Sequence, residues 1–214
     1  MKSLARNVRL DLIVFGTLIA LANVPLLFGH VSSSLVFFPG DVLAGQWWRV
    51  ATFPFVHLSW YHLLLDAGAF LALYGGLYEP SRLRRLALVA ASCAGSLLLP
   101  LAAAPALLGQ GLCGLSGTAH GLMAVSGLEM MALPGADRSI RYAGLAYFAI
   151  VVIKCMAEAF TGSVVFGFLY FGMMGIPVAM CHAGGVLGGI LAYAALSGNA
   201  AGAPAISRLA PVRT

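Results

Sequence analysis

Charge is what this sequence lacks. Of its 214 residues only 9% are Asp, Glu, Lys or Arg, while 61% are hydrophobic. Soluble domains carry roughly 25% charged residues, so this chain cannot cover a water-facing surface with its own polar groups. The shortage excludes a soluble globular protein, and the apolar excess excludes a disordered one. Alternation of apolar and polar residues is also missing, which excludes an outer-membrane barrel. The twelve basic residues outnumber the seven acidic ones, but they are scattered at segment ends and form no nucleic-acid-binding face. The four cysteines show no CxxC spacing. Cys93 and Cys155 read as small apolar residues within spans, and Cys113 and Cys181 leave a disulfide open. There is no repeat of fixed period and no linker. The reading that remains is an all-α membrane protein of one domain, residues 1–214, with a core over 10–198 and a cytoplasmic tail over 199–214.

A helix needs about 20 mostly apolar residues to cross the hydrocarbon layer. Six stretches qualify, at residues 11–28, 57–77, 86–108, 114–133, 142–160 and 177–197. The first is too long and too poorly flanked for a cleaved signal peptide and reads as a retained helix. Val31 to Phe55 is broken by Pro39, Gly40 and Asp41, and its Trp47-Trp48 pair suits the membrane interface. Gly162 to Ile176 is apolar but glycine-rich, and reads either as a loop or as part of a neighbouring helix. Ten of the twelve basic residues fall on one side of this arrangement, with Arg49 opposite and Lys154 inside a span. By the positive-inside rule both termini are cytoplasmic.

Ionisable residues inside a span cost roughly 2.5–3.5 kcal/mol each at the bilayer centre, so each needs a reason. They are His57, His62 and Asp66 in span two, His120 and Glu129 in span four, Lys154 and Glu158 in span five, and His182 in span six. Spans two, four and six all enter from the extracytoplasmic side. At 1.5 Å per residue, His62, Asp66, Ser116 and His182 fall within about 11 Å of one another in depth. Small residues indicate which helices touch: Gly114, Gly117, Gly121 and Ala124 in span four, and Gly185 and Gly189 in span six. His182 lies one turn above Gly185, and Ser116 adjoins the glycine face of span four. A serine beside an imidazole is the minimum for an activated nucleophile. The plainer readings are an N-cap for Ser116, packing hydrogen bonds for the histidines and packing alone for the glycines.

With these residues in place, the chain resembles the rhomboid intramembrane serine proteases. Gly114-Leu115-Ser116-Gly117 matches their GxSG motif, and Trp48-Arg49 resembles their WR pair. His57 to Asp66 resembles the second-helix HxxxxHxxxN, and His182 to Gly189 the sixth-helix HxxGxxxG. Two further features resemble the rhombosortase subfamily: Ser116-Gly-Thr-Ala-His120-Gly121 and the KxxxE of Lys154 to Glu158. The resemblance implies a six-helix rhomboid-like bundle in a bacterial cytoplasmic membrane, with its site toward the periplasm. It also implies substrates that are membrane-anchored proteins ending in a Gly-Gly motif, a hydrophobic helix and a basic tail. No cofactor and no metal are expected.

The expected chemistry is a Ser116–His182 dyad, with the oxyanion held by His62 and the backbone N–H of Ser116. Gly114, Gly117, His120, Lys154, Glu158 and Gly185 are supporting residues. Lys154 and Glu158, four apart, are expected to pair and hold the fold; His120 is expected to tune the site or make a structural bond. His57 is read as structural, and Glu129 receives no role. Asp66 stands where the family has asparagine. An ionised carboxylate cannot donate to an oxyanion, so Asp66 is either protonated or orients His62; the second arrangement is the expectation. The acyl-enzyme would pass to water or to an amine, as in a transpeptidase. A rival reading takes His57, His62, Asp66, His120 and His182 as zinc ligands, although HExxH is absent and His57 and His62 point roughly 140° apart on one helix. The other rivals are an inactive rhomboid-like binding protein, against which Ser116 and His182 are both present, and a transporter, against which no inverted repeat is seen.

Overall fold

In a membrane, polar side chains and the smallest residues turn inward while large apolar ones face lipid. That inversion organises this chain. The computed structural model describes residues 2–103, 109–165 and 178–198. Among the described residues there are six long helices: α1 (Lys2–Ala22), α2 (Trp60–Gly76), α3 (Arg82–Ala103), α4 (Ser116–Ala132), α5 (Arg138–Thr161) and α6 (Ala179–Gly198). Four stretches are long and apolar enough to cross a membrane: Arg6–Phe28, Arg82–Ala103, Arg138–Thr161 and Ala179–Gly198. A fifth forms if Arg49–Phe55 and Trp60–Gly76, bent by 96°, act as one span. The expected six spans thus stand at four or five by length and composition. The reason lies in α4, which has 17 residues, about 26 Å of helix, and carries Ser, Thr, His and Glu. The expected tail 199–214 and most of 162–176 lie outside the described residues.

α4 is the central helix. Ten of its 17 residues are buried, from Gly117 to Glu129, and α2, α3, α5 and α6 all pack on it. Only α1 sits to the side, held on α2 by edge-to-face contacts of Phe15 with Phe70 and Tyr74 at 5.1 and 5.2 Å. α5 turns Tyr142, Leu145, Ile150, Ile153, Met156 and Phe160 outward.

The close crossings are made by backbone. A Cβ on Gly185 would collide with the Gly117 carbonyl, and one on Gly121 with that of Gly185. This is the expected α4–α6 contact. The neighbouring Gly184 and Gly188 have a second role, not expected from the sequence: they receive the Gly95 and Ala91 carbonyls of α3. α6 therefore presses backbone on both sides.

Local signals set the helix ends. The Ser59 hydroxyl accepts from the His62 N–H and opens α2. Asp137 caps α5 by accepting from the Ile140 N–H, which holds its carboxyl below the usual range. Gly162, at φ 67°, closes α5, so the helix does not continue into the following segment. All four cysteines are free, so the open disulfide is not formed.

At the far end of the bundle, Asp11 accepts from the Tyr74 hydroxyl at 2.6 Å and from Arg82 Nε at 2.7 Å, with Arg85 at 3.7 Å. Arg85, a loop cation by its place in the sequence, is fully buried. Glu129, given no role from sequence, accepts from the Tyr78 and Glu79 N–H groups at 2.8 and 2.9 Å.

Backbone-on-backbone packing makes a testable contrast. Gly184→Ala must push α3 and α6 apart and should destabilise by about 1–3 kcal/mol. Gly68→Ala in α2, where a Cβ meets nothing within 4 Å, should stabilise by up to about 1 kcal/mol through helix propensity. Thermal unfolding in detergent should move the two midpoints in opposite directions.

Candidate active site

The site is assembled around one peptide unit, that of Ser116. The chain reaches it through an antiparallel bridge of Phe37 with Leu112, whose N–H groups bond each other's carbonyls at 3.0 and 2.9 Å. The first loop that supplies Phe37 is itself folded around Arg49, 6% exposed. Arg49 pairs with Asp41 at 3.0 Å and donates to the Gln46 side chain and to the Ser33 and Val36 carbonyls. Trp48 donates from its indole to the Ser34 carbonyl. The WR pair thus folds the loop rather than entering the chemistry.

Gly114 then turns with φ 101° while its N–H donates to the Phe53 carbonyl at 3.0 Å. A Cβ there would lie 2.8 Å from both Asp66 Oδ2 and His62 Nε2, so only glycine fits. Ser116 follows as the first residue of α4. The cap position belongs to Leu115, which makes no side-chain cap bond; the plain N-cap reading of Ser116 is therefore not realised. Instead Asp66 of α2 serves the helix start, its Oδ2 accepting from the Ser116 N–H at 3.0 Å.

Two clusters flank this unit. On the N–H side stand His57, His62 and Asp66. His62 Nδ1 accepts from the Leu58 N–H at 3.3 Å, so its proton is on Nε2, 3.1 Å from Asp66 Oδ2. His62 therefore bonds Asp66 as expected from the one-turn spacing. His57 Nε2 is 3.8 Å from the same oxygen. His57 is fully buried, and among the described residues neither ring nitrogen has a hydrogen-bond partner. Its backbone N–H is held by Asn23 Oδ1 at 2.9 Å, while Asn23 Nδ2 donates to the Ile19 and Phe55 carbonyls. Asn23 is a positioning residue that the sequence reading does not name; its signal is an amide side chain at the end of an apolar span.

On the carbonyl side stand His120, Lys154, Glu158 and His182. His120 Nδ1–H donates to the Ser116 carbonyl at 2.7 Å, and Lys154 Nζ donates to His120 Nε2 at 2.9 Å. The His120 ring stacks on that of His182, centroids 4.1 Å apart at 17°. Lys154 also pairs with Glu158 Oε1 at 2.7 Å, the expected i,i+4 bond. The unexpected bond is the next one: Glu158 Oε2 accepts from His182 Nδ1 at 2.7 Å. Glu158 has no exposed surface, and its Oε1 also takes the Val165 N–H at 3.0 Å. Fixing Nδ1 as the protonated nitrogen leaves Nε2 as the basic one.

Ser116 and His182 lie at the same helix crossing, where a Cβ on Gly117 would meet the Cys181 carbonyl at 2.8 Å and Gly185 rests on the Gly117 carbonyl. Ser116 Oγ makes no hydrogen bond to His182 among the described residues; such bonds often tighten only with substrate. The five residues named as zinc ligands divide between the two clusters. A different trio, His120, Cys155 and Glu158, has ligand atoms within 4.8 Å of one another. The Lys154 ammonium is bonded to two of the three, so a cation already stands among these donors.

The arrangement brings a basic imidazole and a half-buried serine at a helix N-terminus to one helix crossing, and these are the groups that acyl transfer uses. Comparison with known proteins agrees with that class. No curated protein and no solved structure matches the chain, but the family model described as Rhomboid domain matches residues 44–199. That stretch holds both clusters and five of the six long helices. The chain therefore belongs to the rhomboid family, multi-pass membrane proteins that are in general intramembrane serine proteases.

Proposed function

We propose that this chain is an intramembrane serine endopeptidase of the rhombosortase kind. It cleaves membrane-tethered precursors near a C-terminal Gly-Gly motif that precedes a hydrophobic helix and a basic tail. Ser116 Oγ attacks the scissile carbonyl. His182 Nε2 takes its proton and returns it to the leaving amine. The Ser116 N–H and His62 Nε2–H hold the oxyanion, and water or an amine resolves the acyl-enzyme. The site faces the periplasm of a bacterial cytoplasmic membrane. The observation that carries this reading is the 2.7 Å bond from His182 Nδ1 to buried Glu158. It sets the imidazole's tautomer and stabilises the imidazolium that forms when the serine is deprotonated, the role an acid plays in a serine–histidine–acid triad.

Glu158 in turn must stay ionised where water is scarce. Lys154 and the Val165 N–H supply the balancing donors, and His120 holds Lys154 and stacks on His182. The rhombosortase-like KxxxE and SGxxHG features thus converge on one imidazole, which is why the subfamily reading is preferred to a generic one.

Two outcomes test this. Ser116→Ala should abolish release of a Gly-Gly-tailed reporter, scored by gel shift after co-expression, while membrane yield stays unchanged; retained release refutes the nucleophile. Glu158→Gln keeps the shape but can donate to Nδ1 and favour the wrong tautomer. It should lower kcat by roughly 10²–10⁴-fold with little change in KM, measured with a detergent-solubilised peptide substrate.

A further inference from the structure

The two groups that would receive the oxyanion are not free. The Ser116 N–H and His62 Nε2 both address one atom, Asp66 Oδ2, at 3.0 and 3.1 Å. Asp66 is 5% exposed, and Gly114 packs against it, so that a Cβ there would fall 2.8 Å from that oxygen. Resting on the function proposed above, we infer that ionised Asp66 is a built-in occupant of the oxyanion pocket, and that the enzyme turns over only when this carboxyl is neutral.

A carbonyl oxygen of the substrate and a carboxylate oxygen compete for the same two donors. The carboxylate wins at rest because it is charged, is held by two N–H groups and sits at the positive end of a 17-residue helix. It is also the wrong neighbour for the reaction. As negative charge develops on the substrate oxygen, an ionised Asp66 repels it at contact distance, in surroundings that screen poorly. With a proton taken from solvent, the same carboxyl releases its grip and offers an O–H, becoming a third donor. Asp66 is thus a positioning and gating group, distinct from the serine and histidine that exchange the bond.

The groups that face Asp66 set when this happens. They are His57 from the segment leading into α2, His62 from α2 itself, Cys113 from the approach to α4, and His182 from α6.

The alternative is that Asp66 only caps α4, and Asp66→Asn separates the two. Asparagine keeps an oxygen to accept from the Ser116 N–H, so a cap survives, whereas the charge is gone. The probe is a fluorophosphonate, whose phosphoryl oxygen must enter the same pocket to label Ser116. If Asp66 gates, the D66N enzyme should label at least about tenfold faster than wild type in mildly alkaline buffer. Equal or slower labelling by D66N overturns the gate. Should D66N fail to fold, wild type with ¹³C-labelled aspartate decides: phosphonylation should produce the infrared band of a protonated aspartic acid, and its absence overturns the inference. Failure of the underlying reading looks different, because then neither wild type nor D66N would label at Ser116, or Ser116→Ala would still cleave.

Discussion

One buried carboxylate holds this site together. Glu158 lies in the interior of a protein that has little water to offer it, and an uncompensated charge there would cost several kcal/mol. It is kept by three donors from different places: Lys154 one turn back, His182 on α6, and the Val165 N–H just past the end of α5. Lys154 and His182 are held in return, both by His120. The result is that α5, which otherwise turns large apolar side chains outward, contributes the acid that orients an imidazole on another helix. His120, from α4, completes the ring by bonding Lys154 and stacking on His182.

The second carboxylate, Asp66, does the same for the other half of the site. It draws α2 to the start of α4, through His62 on one side and the Ser116 N–H on the other. The Ser116 peptide unit is therefore gripped from both ends, by Asp66 at its N–H and by His120 at its carbonyl. Two acids on two helices, each with its own histidine, position one serine. What differs is their partners: Glu158 has an ammonium beside it, whereas among the described residues Asp66 has histidines and a backbone amide.

Much of this is legible in the sequence, and the part that is not has a physical reason. Depth along a helix follows from rise per residue, so the shared level of His62, Asp66, Ser116 and His182 can be counted. The i,i+4 bonds of Lys154 with Glu158 and of His62 with Asp66 lie within one helix and can be counted too. The rotation of α5 about its axis cannot, and that rotation is what turns Glu158 toward His182 rather than leaving it a mere partner for lysine. Nor does spacing say which way a loop closes; hence the amide expected to await an oxyanion proves to be bonded to Asp66. Ala91 and Gly95 of α3 are a small-xxx-small signal in the sequence whose partner on α6 only the structure supplies. The burial of Arg85 runs against its place in a run of basic residues, because Asp11 and the Glu79 carbonyl reach it from inside.

The crossing of α4 with α6 has a consequence for how Ser116 and His182 are presented. Where main chain rests on main chain, as at Gly117 with Gly185 and Gly121 with Gly189, there are no rotamers to exchange and no soft methyl groups to yield. Ser116 and His182 straddle that seam and inherit its stiffness. For the pair proposed above, the entropy of placing the two helices that carry them is then lost once, when the chain folds, and only the side chains are left to settle around a substrate.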